Sequence, residues 1–476
     1  MLFPTLDFGL FFLGVFGISW GLSGRHSPRL LFLTAASYGF YAFWDWRFCL
    51  LLFGSSLGNW LFGRAIHGSD DPRQRKRLVG WAVALNLAVL GCFKYFNFFL
   101  GSLNQLLESL GAARDIPYLG IVLPVGISFF TFHGISYVVD LYRGTLRKPA
   151  TFLEMLLYIS FFPQLVAGPI VRAAHFLPQL SAPVDRRDIR ATLALLLILG
   201  GLFKKVVVAN YLATLMVDKV FFDPGAYGAL DLLFATYAYA VQIYCDFSAY
   251  TDIAIGIAAL LGYRFPQNFD QPYRALGFRD FWQRWHISLS SWLRDYLYIP
   301  LGGNGGGAGG GWAGARYRNL AVTMLLGGLW HGAAWTFIIW GGIHGALLAL
   351  EHGLLPERDR MKRWPFWAKA LGVVATFHLV CLAWIFFRAA DLGHALEFLA
   401  GFGSLSRGVQ ALTPFLFLLI AGGLAAQFLP KDRMAMLERL ALRLPLPAQG
   451  ALVGAAIVAI DSLGPSGVAP FIYFQF

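Results

Sequence analysis

Long apolar stretches with few charges recur along the chain, at 8–24, 30–44, 48–63, 78–101, 116–141, 155–171, 191–217, 232–263, 319–350, 370–387, 410–430 and 447–463. A spanning helix needs about 20 apolar residues at a rise of about 1.5 Å each. The pattern predicts an all-α integral membrane protein with roughly 11 transmembrane helices. It is read as one polytopic membrane domain over residues 1–476. A membrane β-barrel would need alternating segments of about 10 residues, and the chain does not supply them. The run at 319–350 carries no formal charge. It is long enough for one tilted span or for a break and a return.

Basic residues set the orientation. They cluster at 64–77 (Arg64, Arg73, Arg75, Lys76, Arg77), 142–150 (Arg143, Arg147, Lys148), 351–369 and 431–443, whereas 102–115 carries only Arg114. Strict alternation places the N-terminus outside and 64–77 in the cytoplasm. The alternation fails once, at 155–171, because the following stretch holds Arg172, Arg186, Arg187 and Arg190. That segment also contains Pro163, Gly168 and Pro169, which interrupt helices. A re-entrant element repairs the count. Irregular backbone at membrane depth survives only when protein shields it or when it lines a wet cavity. Lys204 and Lys205, inside an apolar run, point to an internal cavity as well.

The stretch 264–318 is too polar to span and too aromatic for a plain loop. Trp282, Trp285, Leu289, Trp292 and Tyr296 are spaced so as to form one stripe on a helix. One amphipathic helix is expected over 281–300, lying at the cytoplasmic surface or dipping into the protein. A glycine-rich, flexible loop follows at 302–311.

Composition narrows the class further. The chain of 476 residues is 57% hydrophobic and only 13% charged, against about 25% charged in a soluble domain. That excludes an ordinary water-soluble enzyme and a disordered chain. The net charge of +12 fits basic loops facing anionic lipid, and no nucleic-acid module is visible. The N-terminal run lacks a basic flank and a small-residue cleavage site, so it is expected to remain as a helix. Cys49, Cys92, Cys245 and Cys381 each lie in an apolar run and form no C-x-x-C pair. They read as small buried hydrophobes, with neither a disulfide framework nor a metal site indicated.

Three places carry candidate chemistry. His331, in GGLWHGAAWTFIIWGGIHG, sits inside the long uncharged run beside Trp330 and Trp335. An ionisable residue there is a functional hypothesis by default. Burial favours the neutral imidazole, which can accept a proton. The alternative is a structural histidine bonded to backbone. His344 shares that run. His286 falls at the edge of the Trp stripe, with an interfacial histidine as its alternative. Arg284, Arg294 and Asp295 lie on the other side of the predicted helix. Arg284 reads as a solvated, headgroup-facing residue, whereas an Arg294–Asp295 pair beside a site could hold an anionic donor. Asp246 and Asp252, in YCDFSAYTDIAIG, need partners among apolar neighbours: they could orient a histidine, and pairing with Lys or Arg is the stronger expectation. Asp140, with His133, reads as interfacial. P-loop, H-E-x-x-H and G-x-S-x-G signatures are absent.

Seven segments together resemble the membrane-bound O-acyltransferase family, and its bacterial alginate O-acetylation branch in particular. They are FKYFNFF (93–99), LPVGISFFTFHGISYVVDLYRG (123–144), FFPQLVAGPIVR (161–172), YCDFSAYTDIAIG (244–256), FWQRWHISLSSWLRDYLYIPLGGN (281–304), RNLAVTMLLGGLWHGAAWTFIIWGGIHG (318–345) and the terminal PFIYFQF. The order is also that of the family. Two positions depart from its pattern: the loop after GGN is nearly all glycine, and Gln283 stands where Arg is frequent. The resemblance implies a helical bundle around a central tunnel, in the bacterial inner membrane. It implies His331 as the family's characteristic histidine and His286 as its companion. It further implies a thioester donor such as acetyl-CoA, with no permanently bound cofactor. The acetyl group would move toward an exopolysaccharide, alginate-like or cellulose-like, with a periplasmic acetyltransferase as partner. Within that reading His331 acts as general base, and Trp330, Trp335, Asn304, Asp246, Arg294 and Asp295 line or support the tunnel. The readings kept beside it are a D-alanyl transferase acting on teichoic acid and a transporter without chemistry.

Overall fold

A computed structural model describes residues 3–112, 116–166, 168–303, 314–355, 358–404, 407–465 and 471. Among the described residues every regular element is helical. Seven helices are long and apolar enough to cross a membrane, and the bent pair Pro414–Phe428 with Arg433–Ala441, at 94°, adds an eighth if it is one span. Among the other apolar runs counted in the sequence, 8–24 folds into the shorter helix Leu6–Gly21, and 30–44 lies in the 20-residue helix His26–Asp45, which is long enough but not apolar enough. Many large apolar side chains, Phe366, Trp367, Leu418 and Val458 among them, are exposed on these helices. Water would not tolerate so much apolar surface, whereas a bilayer solvates it.

The chain divides into two compact units, Met1–Ile189 with Ile257–Phe265, and Arg190–Gly256 with Pro266–Phe476. In the first, Phe48–Gly68 packs against Pro72–Leu90 and Ile127–Arg143. The approach is close because Gly63 faces the Tyr137 ring and Gly134 faces the side chains of Asn59 and Asn86, where no Cβ would fit. Asn59 and Asn86 donate to each other's carbonyl oxygens, at 3.1 and 2.8 Å. Each buried amide therefore has the partner it needs away from water.

The anomalous stretch 155–171 is indeed interrupted. Thr151 and Glu154 form a capping box that starts the helix Phe152–Ser160. The chain then breaks at Phe161, makes one turn at Phe162–Leu165, and runs on to the helix Ala173–Ser181. Nine residues are too few to span. The broken stretch Phe161–Leu165 is buried, so its irregular backbone is shielded by protein. His133 and Asp140 are buried in this same unit, where Asp140 accepts from the Ala174 amide at 3.4 Å.

In the second unit the apolar stretch Ala191–Phe222 is one long helical rod. It contains two π turns, Phe203–Ala209 and Ala213–Val217. The first holds Lys204 and Lys205. Lys205 pairs with Asp246 at 2.8 Å, both almost wholly buried. Lys204 pairs with Asp252 at 2.6 Å and donates to Ser248 at 2.8 Å. The expected charge pairing is thus present. Gly201 and Gly256 make it possible, because Cβ atoms there would strike Ile253 and Ile198. The cysteines differ from their reading: Cys245 and Cys381 are buried, but Cys49 is only partly covered and Cys92 is exposed.

Candidate functional site

The uncharged run 319–350 is a break and a return. Ala315–His331 and Trp335–Leu354 form a helical hairpin. Its seam is made by Gly328 against the Phe337 carbonyl and Gly341 against the Met324 carbonyl, contacts that any Cβ would prevent. His331 is the last residue of the first helix. Gly332 follows in extended conformation, and a Cβ there would enter the Phe337 ring. The hairpin turn therefore holds His331 inside the protein, 4% exposed. Its ring lies 5.0 Å from Trp330, 5.0 Å from Trp340 and 5.2 Å from Phe387, centroid to centroid.

The predicted 281–300 helix is not continuous. It splits into Phe278–Trp282 and Ile287–Leu293, followed by a π turn at Arg294–Tyr298. The break falls on His286, whose φ of 42° and ψ of 54° are left-handed. Among the described residues only Gln271 and His286 adopt positive φ without being glycine. Such a conformation costs an L-residue roughly 1–2 kcal/mol. The aromatic stripe nevertheless stays inward: Trp285, Leu289 and Trp292 are buried. Trp285 stacks on Phe281 and contacts Phe269 and Trp384 at 5.1 and 5.0 Å. Replacing Trp285 by Asp should remove the folded protein from detergent extracts, since a charge would be desolvated and a large cavity left. Size-exclusion chromatography of that variant beside Trp285→Phe is the check; a normal monodisperse peak for the Asp variant would refute burial of the stripe.

His286 is fully buried. Its Nδ1 lies 3.3 Å from Asn268 Oδ1. Its ring meets Phe247 edge-on at 4.6 Å and Trp330 at 5.9 Å. Burial pushes the imidazole down to about 3, so the ring is neutral. Trp330 therefore touches both His286 and His331. His344 joins the same aromatic cluster through Trp340, at 4.8 Å, and Trp282, at 5.1 Å.

The remaining candidates separate. Asp246 is held by Lys205 rather than by a histidine. Arg294 and Asp295 pair with each other at 2.6 Å, with Arg294 mostly exposed; that hydrogen bond raises the pKa of the guanidinium. Trp335 opens the second hairpin helix and is 52% exposed. Asn304 lies outside the described residues, as does the glycine-rich loop from 304 onward. Arg284 corrects its reading as a solvated residue. It turns inward to Asp280, one helical turn before it, at 2.7 Å, and to Asp270 at 3.5 Å. Three residues of the site carried no signal in the sequence: Asn268, Trp340 and Phe387. Asn268 lies in an extended stretch without periodicity, and only its position beside a buried histidine marks it.

Comparison with known proteins bears on this arrangement. Residues 143–389 match the membrane-bound O-acyltransferase family. The chain is 40% identical over 399 residues to a probable alginate O-acetylase of Pseudomonas putida, covering 82% of this chain and 78% of that protein. It is 38% identical over 427 residues to a peptidoglycan O-acetyltransferase of Helicobacter pylori, covering 82% and 76%. Similarity extends at 28% identity to a teichoic acid D-alanyltransferase of Bacillus subtilis, over 57% of this chain and 70% of that one.

Proposed function

This chain belongs to the membrane-bound O-acyltransferase family, and from that premise we propose that it delivers acetyl groups across the bacterial inner membrane to an extracytoplasmic polysaccharide. It is a multi-pass membrane O-acyltransferase. In the proposal the donor is a thioester, acetyl-CoA or an equivalent, reaching the site from the side of the basic loops. His331 takes the proton of an attacking hydroxyl as its oxygen adds to the thioester carbonyl. The C–S bond then breaks, and His331 returns the proton to the leaving thiolate. Such proton transfer contributes about 10²–10⁴-fold. His286 is the companion that orients the reacting group. The acceptor is the polysaccharide itself or a serine of a periplasmic acetyltransferase partner.

The observation that carries this reading is the pair of buried histidines packed against one tryptophan, Trp330. Nothing in a purely transporting protein requires two buried imidazoles there. Acetyl is favoured over D-alanyl because similarity to the acetyltransferases is both higher and longer. Membranes supplied with labelled acetyl-CoA, with and without the neighbouring periplasmic protein, are the test. Labelled polysaccharide that requires this chain supports the proposal. Label that enters only from a D-alanyl carrier protein favours the teichoic acid reading. Absence of thioester consumption with polymer still exported favours transport.

A further inference from the structure

The environment of His286 decides which of its nitrogens is basic. The backbone amide of Ser288 donates to Asn268 Oδ1 at 3.0 Å, and the Ser288 hydroxyl donates to the same oxygen at 2.8 Å. A backbone N–H can only donate. The atom it meets must be the amide oxygen of Asn268, so the orientation of that amide is not interchangeable. His286 Nδ1, 3.3 Å from that oxygen, must then carry the ring proton. A neutral imidazole has one N–H, so Nε2 is left with a lone pair. Nε2 is buried and has no hydrogen-bond partner among the described residues.

We propose that Asn268 is a positioning residue that holds His286 in the Nδ1–H form and so aims a bare Nε2 lone pair at the reacting group. The reading rests on His286 being the companion in acyl transfer. It assigns that companion the role of hydrogen-bond acceptor: it orients an incoming hydroxyl by accepting from it, rather than polarising a carbonyl by donating. Three features converge on this. The left-handed backbone at His286 is costly and persists only where the surroundings enforce it. Asn268 is itself wholly buried, and its main-chain oxygen accepts from Ile287 at 2.9 Å. Both its carbonyls therefore clamp the residues that follow His286. An unpartnered buried nitrogen, finally, is a cost that a substrate proton would repay. The groups packed on the ring are Asn268, Phe247 and Trp330. The nearby titratable groups are His331, across Trp330, and Asp246 next to Phe247, already paired with Lys205.

The test is the tautomer, read by ¹⁵N NMR on the full-length detergent-solubilised protein with labelled histidine. The His286 signals are identified by difference against His286→Asn, since Asn tolerates left-handed backbone. Wild type should show a protonated Nδ1 and a bare Nε2. Asn268→Asp keeps an acceptor in place and should keep that pattern. Asn268→Leu removes it and should yield a mixture with Nε2–H, with acetyl transfer lowered by roughly tenfold or more while Asn268→Asp retains clearly more activity. Equal losses in both variants with an unchanged tautomer would show a merely structural role and overturn the proposal. A tautomer that follows residue 268 when the wild type acetylates no polymer would retain the positioning role and sink the proposed acceptor instead.

Discussion

His331→Gln should lose at least about 10²-fold in polymer acetylation while the protein stays folded and in the membrane. Glutamine keeps a hydrogen bond but cannot take a proton, so the substitution separates chemistry from support. The site makes the experiment clean. His331 ends its helix between Trp330, Trp340 and Phe387, and a side chain of similar reach fits without opening a large void. A structural role predicts that Gln preserves most of the rate. Rates are to be measured with labelled acetyl donor on membranes whose protein content is matched by blot. Near wild-type transfer would end the general-base assignment and make His286 the first candidate.

Breaking the Lys205–Asp246 pair should strongly destabilise the protein. Both side chains are almost completely buried, at 2.8 Å from each other. Removing one partner leaves an uncompensated charge in an apolar interior, at a cost of about 3–5 kcal/mol. Asp246→Ala or Lys205→Ala should therefore aggregate on extraction. Lys205→Met combined with Asp246→Leu removes both charges and should recover most of the lost stability. A thermal-unfolding series in detergent measures this. If each single variant unfolds at the wild-type temperature, the pair does not support the fold. If the double variant is stable yet inactive, Asp246 serves the reaction as well as the fold.

The pattern of apolar runs by itself determined that the protein is helical and lies in a membrane, because a bilayer leaves a long apolar segment no other way to satisfy its backbone. The same pattern, read with Pro163, Gly168 and Pro169, located an interruption within 155–171. It also placed His331 in a buried segment, and the aromatic spacing correctly named the inward face of 281–300. What spacing could not show was that this face belongs to two short helices. Periodicity reports which side is apolar and assumes an unbroken axis; it is silent on a left-handed residue at His286. That one backbone choice starts a separate helix at Ile287. It also presents His286 to Asn268. Lys205 with Asp246, Trp330 with His286 and Asn268 with Ser288 are likewise partners remote or unmarked in the chain. Each of these groups states only a need: a buried charge requires an opposite charge, and a buried amide or imidazole requires a hydrogen bond. Which residue meets that need is a matter of distances in the packed helices. The tertiary structure alone decided it.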